Sequence, residues 1–177
     1  MRRCIASVYI MIYYVSGGVR SGKSSYAMKL AKSLGDRLTY LATARRWDDD
    51  FEYRIRRHEK DRDDCWEVLE KEKGLHEIDF SHQVVVVDCI TLWLTNYWVD
   101  TKQDIDASIS AFKNEVDQLV KQEATFIFIS NELGMGLHPH EESSRKFVDL
   151  QGWANQYVAK KADKAIFIAS GLPIEMK

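Results

Sequence analysis

The sequence is poor in the residues that build cross-linked or repetitive proteins. Its three cysteines, Cys4, Cys65 and Cys89, are an odd number with no C-x-x-C pair. That argues against a disulfide framework or a cysteine zinc site and suits a reducing cytoplasm. Only two prolines occur, Pro139 and Pro173, and neither interrupts a predicted element. There is no repeat and no low-complexity linker, so the 177 residues read as one compact α/β domain. An excess of one charge is also missing. The 25 basic and 27 acidic residues leave a net charge of -2, which gives no support for a nucleic-acid partner held by bulk charge. No apolar run is long enough to span a membrane.

Arg2 and Arg3 precede an apolar run, as in a signal peptide. The run leads straight into a glycine-rich loop, however, and cleavage there would destroy it. Residues 1–9 therefore read as a non-essential N-terminal extension, with a first strand from about Val8 to Val15 and Met11 as an alternative start. Hydrophobic residues make up 45% of the chain, enough for a core and against global disorder.

What is present is a phosphate-handling motif. Gly17-Gly18-Val19-Arg20-Ser21-Gly22-Lys23-Ser24 reads G-x-x-x-x-G-K-S. Glycines let the backbone curl so that successive N–H groups face a phosphate chain. Lys23 adds a mobile cation for the outer phosphates, and Ser24 a hydroxyl for Mg²⁺. Ala27, Leu30, Ala31 and Leu34 then recur at helical spacing up to Gly35. Strand, glycine loop and helix together aim a helix N-terminus at an anion.

Further strands are predicted at residues 37–43, at Val84-Val85-Val86-Val87, at Thr125–Ile129 and at Ala165–Ala169. Helices are predicted from Asp48 to about Arg62, from Ile90 to Val99, from Ile105 to Val120 and from about Glu141 to Lys160. Continuous apolar strands alternating with helices predict a mostly parallel sheet covered on both faces. Gly17, Thr43, Asp88 and Ser130-Asn131-Glu132 each follow a strand, so they are expected to share its carboxyl edge, where ligand crevices form.

Several residue groups admit two readings at this level. Asp88 ends an apolar strand and either holds Mg²⁺ or merely caps the helix from Ile90. Arg54, His58 and Arg62 are spaced by four, about 40° of rotation per step on a helix, so they share one ridge. Spacing alone favours a solvated charged face there, since Glu52, Glu59, Asp61 and Asp63 are near. Ser130 to Gly136 is a glycine-bearing loop, either an ordinary connection or a contact surface. His138 and His140 have no third ligand at metal spacing and read as a polar loop. The five tryptophans read mostly as core or interface, and the helix from Ile90 to Val99, with Trp93, Tyr97 and Trp98, is a candidate subunit interface because its apolar residues exceed one face.

Taken in order, the phosphate loop, Tyr40-Leu41-Ala42-Thr43-Ala44, Arg54-Ile55-x-x-His58-x-x-x-Arg62, Val87 to Asn96 and Ser130-Asn131-Glu132-Leu133-Gly134-Met135-Gly136 form one set. The set resembles the bifunctional adenosylcobinamide kinase/adenosylcobinamide-phosphate guanylyltransferase family of cobalamin biosynthesis, from about Ile10 to the C-terminus. The resemblance implies a RecA-like P-loop NTPase fold, ATP and GTP as substrates with Mg²⁺, and a homotrimer. It implies that a triphosphate phosphorylates the aminopropanol hydroxyl of adenosylcobinamide. It further implies that a histidine takes GMP from GTP and passes it to the phosphorylated corrinoid. By this resemblance His58 is the guanylyl acceptor, Lys23 acts in catalysis, Arg54, Arg62 and Glu132 bind, and the ridge is functional. Some members carry two adjacent histidines in that segment; here the pair is Arg57-His58, so only His58 can serve. The alternatives are a nucleotide kinase without a covalent intermediate and a nucleotide-dependent switch or assembly ATPase.

Overall fold

A computed structural model of the protein describes residues 10–45 and 65–177. Arg54, His58, Arg62 and the helix predicted from Asp48 lie outside the described residues.

The strands are β1 (Ile12–Gly17), β2 (Leu38–Ala42), β3 (Trp66–Glu70), β4 (Val84–Asp88), β5 (Thr125–Asn131), β6 (Lys164–Ala169) and β7 (Leu172–Glu175). The α-helices among the described residues are α1 (Lys23–Leu34), α2 (Ile90–Asp100), α3 (Ile105–Leu119) and α4 (Glu142–Lys161). The strands form one sheet in the order β3-β2-β4-β5-β1-β6-β7, parallel throughout except for the β6–β7 pair.

The apolar runs make strands buried on both faces because alternate side chains point to opposite sides. Val85, Val87, Phe126 and Phe128 pack with Trp93 of α2, Phe112 of α3 and Leu150 of α4. Val84, Val86, Ile127 and Ile129 pack on the opposite face with Ala27 and Ala31 of α1. Small residues on α1 bring that helix close to the sheet, directly behind the phosphate loop.

Four sequence expectations need correction. The first strand begins at Ile12 rather than near Val8, and Ile10 is 60% exposed. Two edge strands, β3 and β7, were not anticipated. β3 exposes Glu67, Val68 and Glu70, so it lacks an apolar run. Pro173 lies inside β7, opposite Ile168, and interrupts nothing, as expected. Proline is tolerated there because β7 is an edge strand. Finally, the apolar residues of α2 exceed one helix face, which suggested a subunit contact. Trp93 and Trp98 are instead 0% and 6% exposed within this chain, enclosed by α3, α4 and the sheet.

β2, β4, β5 and β1 are consecutive neighbours in the sheet and parallel. Their carboxyl ends, Ala42, Asp88, Asn131 and Gly17, therefore lie side by side. Every strand-end residue singled out in the sequence falls on this one edge.

Candidate active site

β1 runs into the phosphate loop at Gly17, where φ is +154°. A Cβ there would lie 2.4 Å from the Ile168 carbonyl oxygen of β6, so the loop passes too close to its neighbour for any side chain. Arg20 and Gly22 are left-handed, with φ of +57° and +100°, and the chain turns into α1 with no side-chain cap and no acid in the first turn. The Ser21 N–H donates to Gly18 O at 3.2 Å, and the Ser21 carbonyl accepts from Gly171 N at 2.8 Å. The Ser21 hydroxyl is buried without a partner among the described residues. A bare helix start, a glycine cradle and an unsatisfied hydroxyl together fit a bound polyphosphate.

Lys23 is 7% exposed, and its Nζ donates to Gly18 O at 2.6 Å. Burial lowers its pKa from the ordinary lysine value, opposed by the charge of nearby Asp88. Among the described residues no carboxylate forms a salt bridge with it.

Asp88 stands where the sequence placed it. Its Oδ2 accepts from Ser24 Oγ at 3.0 Å and from the hydroxyl of Tyr40. Tyr40 was missed as a site residue because its contact depends on β2 pairing with β4, with Ala42 opposite Asp88. Thr43 is fully buried and clasps the next residue: its Oγ1 accepts from Cys89 N at 2.9 Å and lies 2.8 Å from Cys89 O. Asn96 of α2 donates to Thr43 O at 2.8 Å and to Glu72 O at 3.0 Å. Burial, then the charge of Asp88, pushes the Cys89 thiol up to about 12, so it is a packing group and not a nucleophile.

The loop after β5 is held from below. Asn131 donates through its backbone N–H and its side chain to Thr91 Oγ1, at 3.1 and 3.2 Å. Asn155 of α4 donates to Asn131 O at 3.1 Å and accepts from Ser130 Oγ at 2.6 Å and Gln151 Nε2 at 2.9 Å. The next residue, Glu132, donates its N–H to Gly17 O at 3.0 Å, and its Oε1 accepts from Gly134 N at 2.7 Å. Gln151 and Asn155 were not singled out; a buried polar pair one helical turn apart is their only sequence signal.

Arg45, the last described residue before 46–64, is held by Glu72 at 2.5 Å and by both oxygens of Asp100 at 2.9 and 3.0 Å. Lys73 joins Asp100. These side chains are about a quarter to two-fifths exposed, so the cluster adds little stability. Its forked geometry holds Arg45 in place.

Two expected outcomes follow from this geometry. Gly17→Ala forces a Cβ into the Ile168 carbonyl at a φ that alanine rarely adopts, a cost on the order of 1–3 kcal/mol. Urea unfolding should show that loss, and binding of a fluorescent GTP analogue should collapse; an unchanged protein would refute the close approach. Asn155→Ala leaves Ser130, Gln151 and Asn131 without a common partner, a cost of about 1–3 kcal/mol. Turnover should fall with the loosened Asn131-Glu132 loop, while fluorescent GTP analogue binding, which rests on the phosphate loop, should change little.

Comparison with known proteins agrees with these features. The family model described as cobinamide kinase / cobinamide phosphate guanyltransferase matches residues 13–176. The bifunctional adenosylcobalamin biosynthesis protein CobP of Pseudomonas aeruginosa is 36% identical over 168 residues, covering 92% of this chain and 95% of that protein. The bifunctional adenosylcobalamin biosynthesis protein CobU of Escherichia coli K12 is 31% identical over 184 residues, 94% of this chain and 100% of that protein. Among solved structures, a prototypical ATPase from the type III secretion system of pathogenic bacteria superimposes with a TM-score of 0.60 at 9% identity. The match covers 94% of this chain and 57% of that one. At that identity the likeness shows the fold, which is the expected RecA-like P-loop NTPase fold.

Proposed function

The chain belongs to the cobinamide kinase / cobinamide phosphate guanyltransferase family, and from that premise we propose that it carries out both reactions on adenosylcobinamide. In the first, the hydroxyl of the aminopropanol arm attacks the γ-phosphorus of ATP or GTP. A new P–O bond forms, the bond to the β-phosphate oxygen breaks, and the nucleoside diphosphate leaves. In the second, an imidazole nitrogen of His58 attacks the α-phosphorus of GTP, and pyrophosphate leaves. A phosphate oxygen of the corrinoid then displaces the imidazole, giving adenosylcobinamide-GDP and restoring His58.

The observation that supports this reading most is the phosphate loop joined to Asp88 through Ser24, in a chain matching the family over nearly its full length. The loop amides and Lys23 bind and orient the polyphosphate. Ser24 and Asp88 would hold Mg²⁺, whose preference for oxygen ligands, with phosphates and water completing the shell, suits two protein oxygens. That ion would neutralise charge on the transferred phosphoryl group. Asn131 and Glu132 shape the edge beside Gly17. A cytoplasmic location and a homotrimer belong to the same proposal.

The test is incubation with adenosylcobinamide and ATP or GTP, with products separated by mass. Addition of one phosphate, then of one GMP from GTP only, is expected. Triphosphate hydrolysis with unchanged corrinoid would refute the assignment. Light scattering should give three chains per particle at micromolar concentration, and a clean monomer would remove the trimer.

A further inference from the structure

The phosphate loop has two flanks, because β1 lies between β5 and β6. The β6 flank is closed. The turn after β6 binds the loop through Gly171 N and Ser21 O at 2.8 Å, and a Cβ on Gly22 would stand 3.3 Å from Gly171 Cα. The β5 flank is open. Past Glu132, which is hydrogen-bonded to Gly17, the chain enters a groove of about 350 Å³ between this loop, α2 and the start of α4. Leu133 and Pro139 of the loop, Trp98 of α2 and Phe147 of α4 give it apolar walls, and Ser143 and Ser144 add hydroxyls. The Trp98 and Phe147 rings are 6.1 Å apart and tilted by 56°. On the same loop Met135 and Leu137 are 77% and 99% exposed.

We propose that this groove seats one edge of the acceptor, a large flat macrocycle of apolar face and amide-bearing rim. This rests on the proposed function, which names a corrinoid but not its place. The acceptor hydroxyl must reach a phosphate held by the loop, so the body of the acceptor must lie beside it. Among the described residues only the β5 flank offers space. Leu133 is one Cα step, about 3.8 Å, beyond the residue bonded to Gly17, so a ligand on this wall is next to the phosphate site. The aromatic and aliphatic walls suit the macrocycle face, and the serine hydroxyls suit rim amides. The volume is at the low end for a small-molecule pocket, typically about 300–1,000 Å³, so the groove takes an edge of the ligand. Met135 and Leu137 supply the apolar surface that the remainder covers.

The test uses Ser144→Trp, which fills the groove from a half-exposed position on α4, with Ser144→Ala as the control. Adenosylcobinamide binding is measured by equilibrium dialysis, nucleotide binding with a fluorescent GTP analogue, and association state by light scattering. Ser144→Trp should weaken corrinoid binding by about tenfold or more, leaving nucleotide binding and particle mass unchanged. Ser144→Ala, which removes one rim hydroxyl without filling the groove, should weaken corrinoid binding less than Ser144→Trp does. Corrinoid affinity unaltered by Ser144→Trp would overturn the groove assignment while leaving the proposed function standing. Corrinoid binding lost together with a change in particle mass would also overturn it, making the groove a contact between copies. A parent protein that binds the GTP analogue but no corrinoid would overturn the functional reading itself, and the groove assignment with it.

Discussion

Lys23→Ala should lower both the phosphorylation and the guanylyl transfer by about 100- to 1,000-fold, the usual consequence of losing a group that stabilises transition-state charge. Lys23 is almost fully buried, and burial acts against its charge. Among the described residues it donates to the neutral carbonyl of Gly18, at 2.6 Å. A buried cation answered mainly by a carbonyl gains strongly from a nearby anion, because attraction grows as water is excluded. Both proposed reactions place a polyphosphate there, so one substitution should affect both. The fold should survive, since alanine is a good helix residue at the first position of α1. Initial rates with ATP and with GTP, beside an unfolding curve, make the check. Near-parental rates in either half-reaction would remove the loop from that step.

The sequence was most legible where one short segment determines both its structure and its chemistry. The phosphate loop needs glycine at Gly17 because of the Ile168 carbonyl, and the pattern G-x-x-x-x-G-K-S records that need. Val84–Val87 could only be a strand covered on both faces, which placed Asp88 at the carboxyl edge. Its partner Tyr40 was not legible, because the contact depends on which strand lies beside β4, and pairing is set by the whole sheet. Asn155 was hidden for a similar reason: its partners Asn131 and Ser130 are 24 and 25 residues away. β7 was missed because all four of its residues are exposed and one is proline, so neither alternation nor an apolar run marks it. The misreading of α2 came from judging a helix by one buried face. It is enclosed on several sides by α3, α4 and the sheet, and its apolar surplus is used within the chain.

His58→Ala should separate the two half-reactions. On the proposed mechanism His58 is needed only where GMP becomes attached to the protein. GTP alone should therefore add one GMP to the parent chain, without any corrinoid, and peptide mapping should place it on His58. The bond should be labile to acid and stable to alkali, as a phosphorus–nitrogen linkage is and a serine ester is not. Neutral imidazole is a competent nucleophile near pH 7, and the phosphoramidate it forms stays activated for the second transfer. The alanine variant should show neither labelling nor transfer of GMP to adenosylcobinamide phosphate. Phosphorylation of adenosylcobinamide should persist at least in part, because the corrinoid hydroxyl attacks the γ-phosphate without a protein nucleophile. Arg54→Ala and Arg62→Ala should slow labelling without moving it, since guanidiniums at that spacing offset phosphate charge and do not form the bond. The labelling should also need Lys23, so that Lys23→Ala loses both activities where His58→Ala loses one. GMP found on another residue, or transfer surviving in His58→Ala, would show that the acceptor lies elsewhere in the chain.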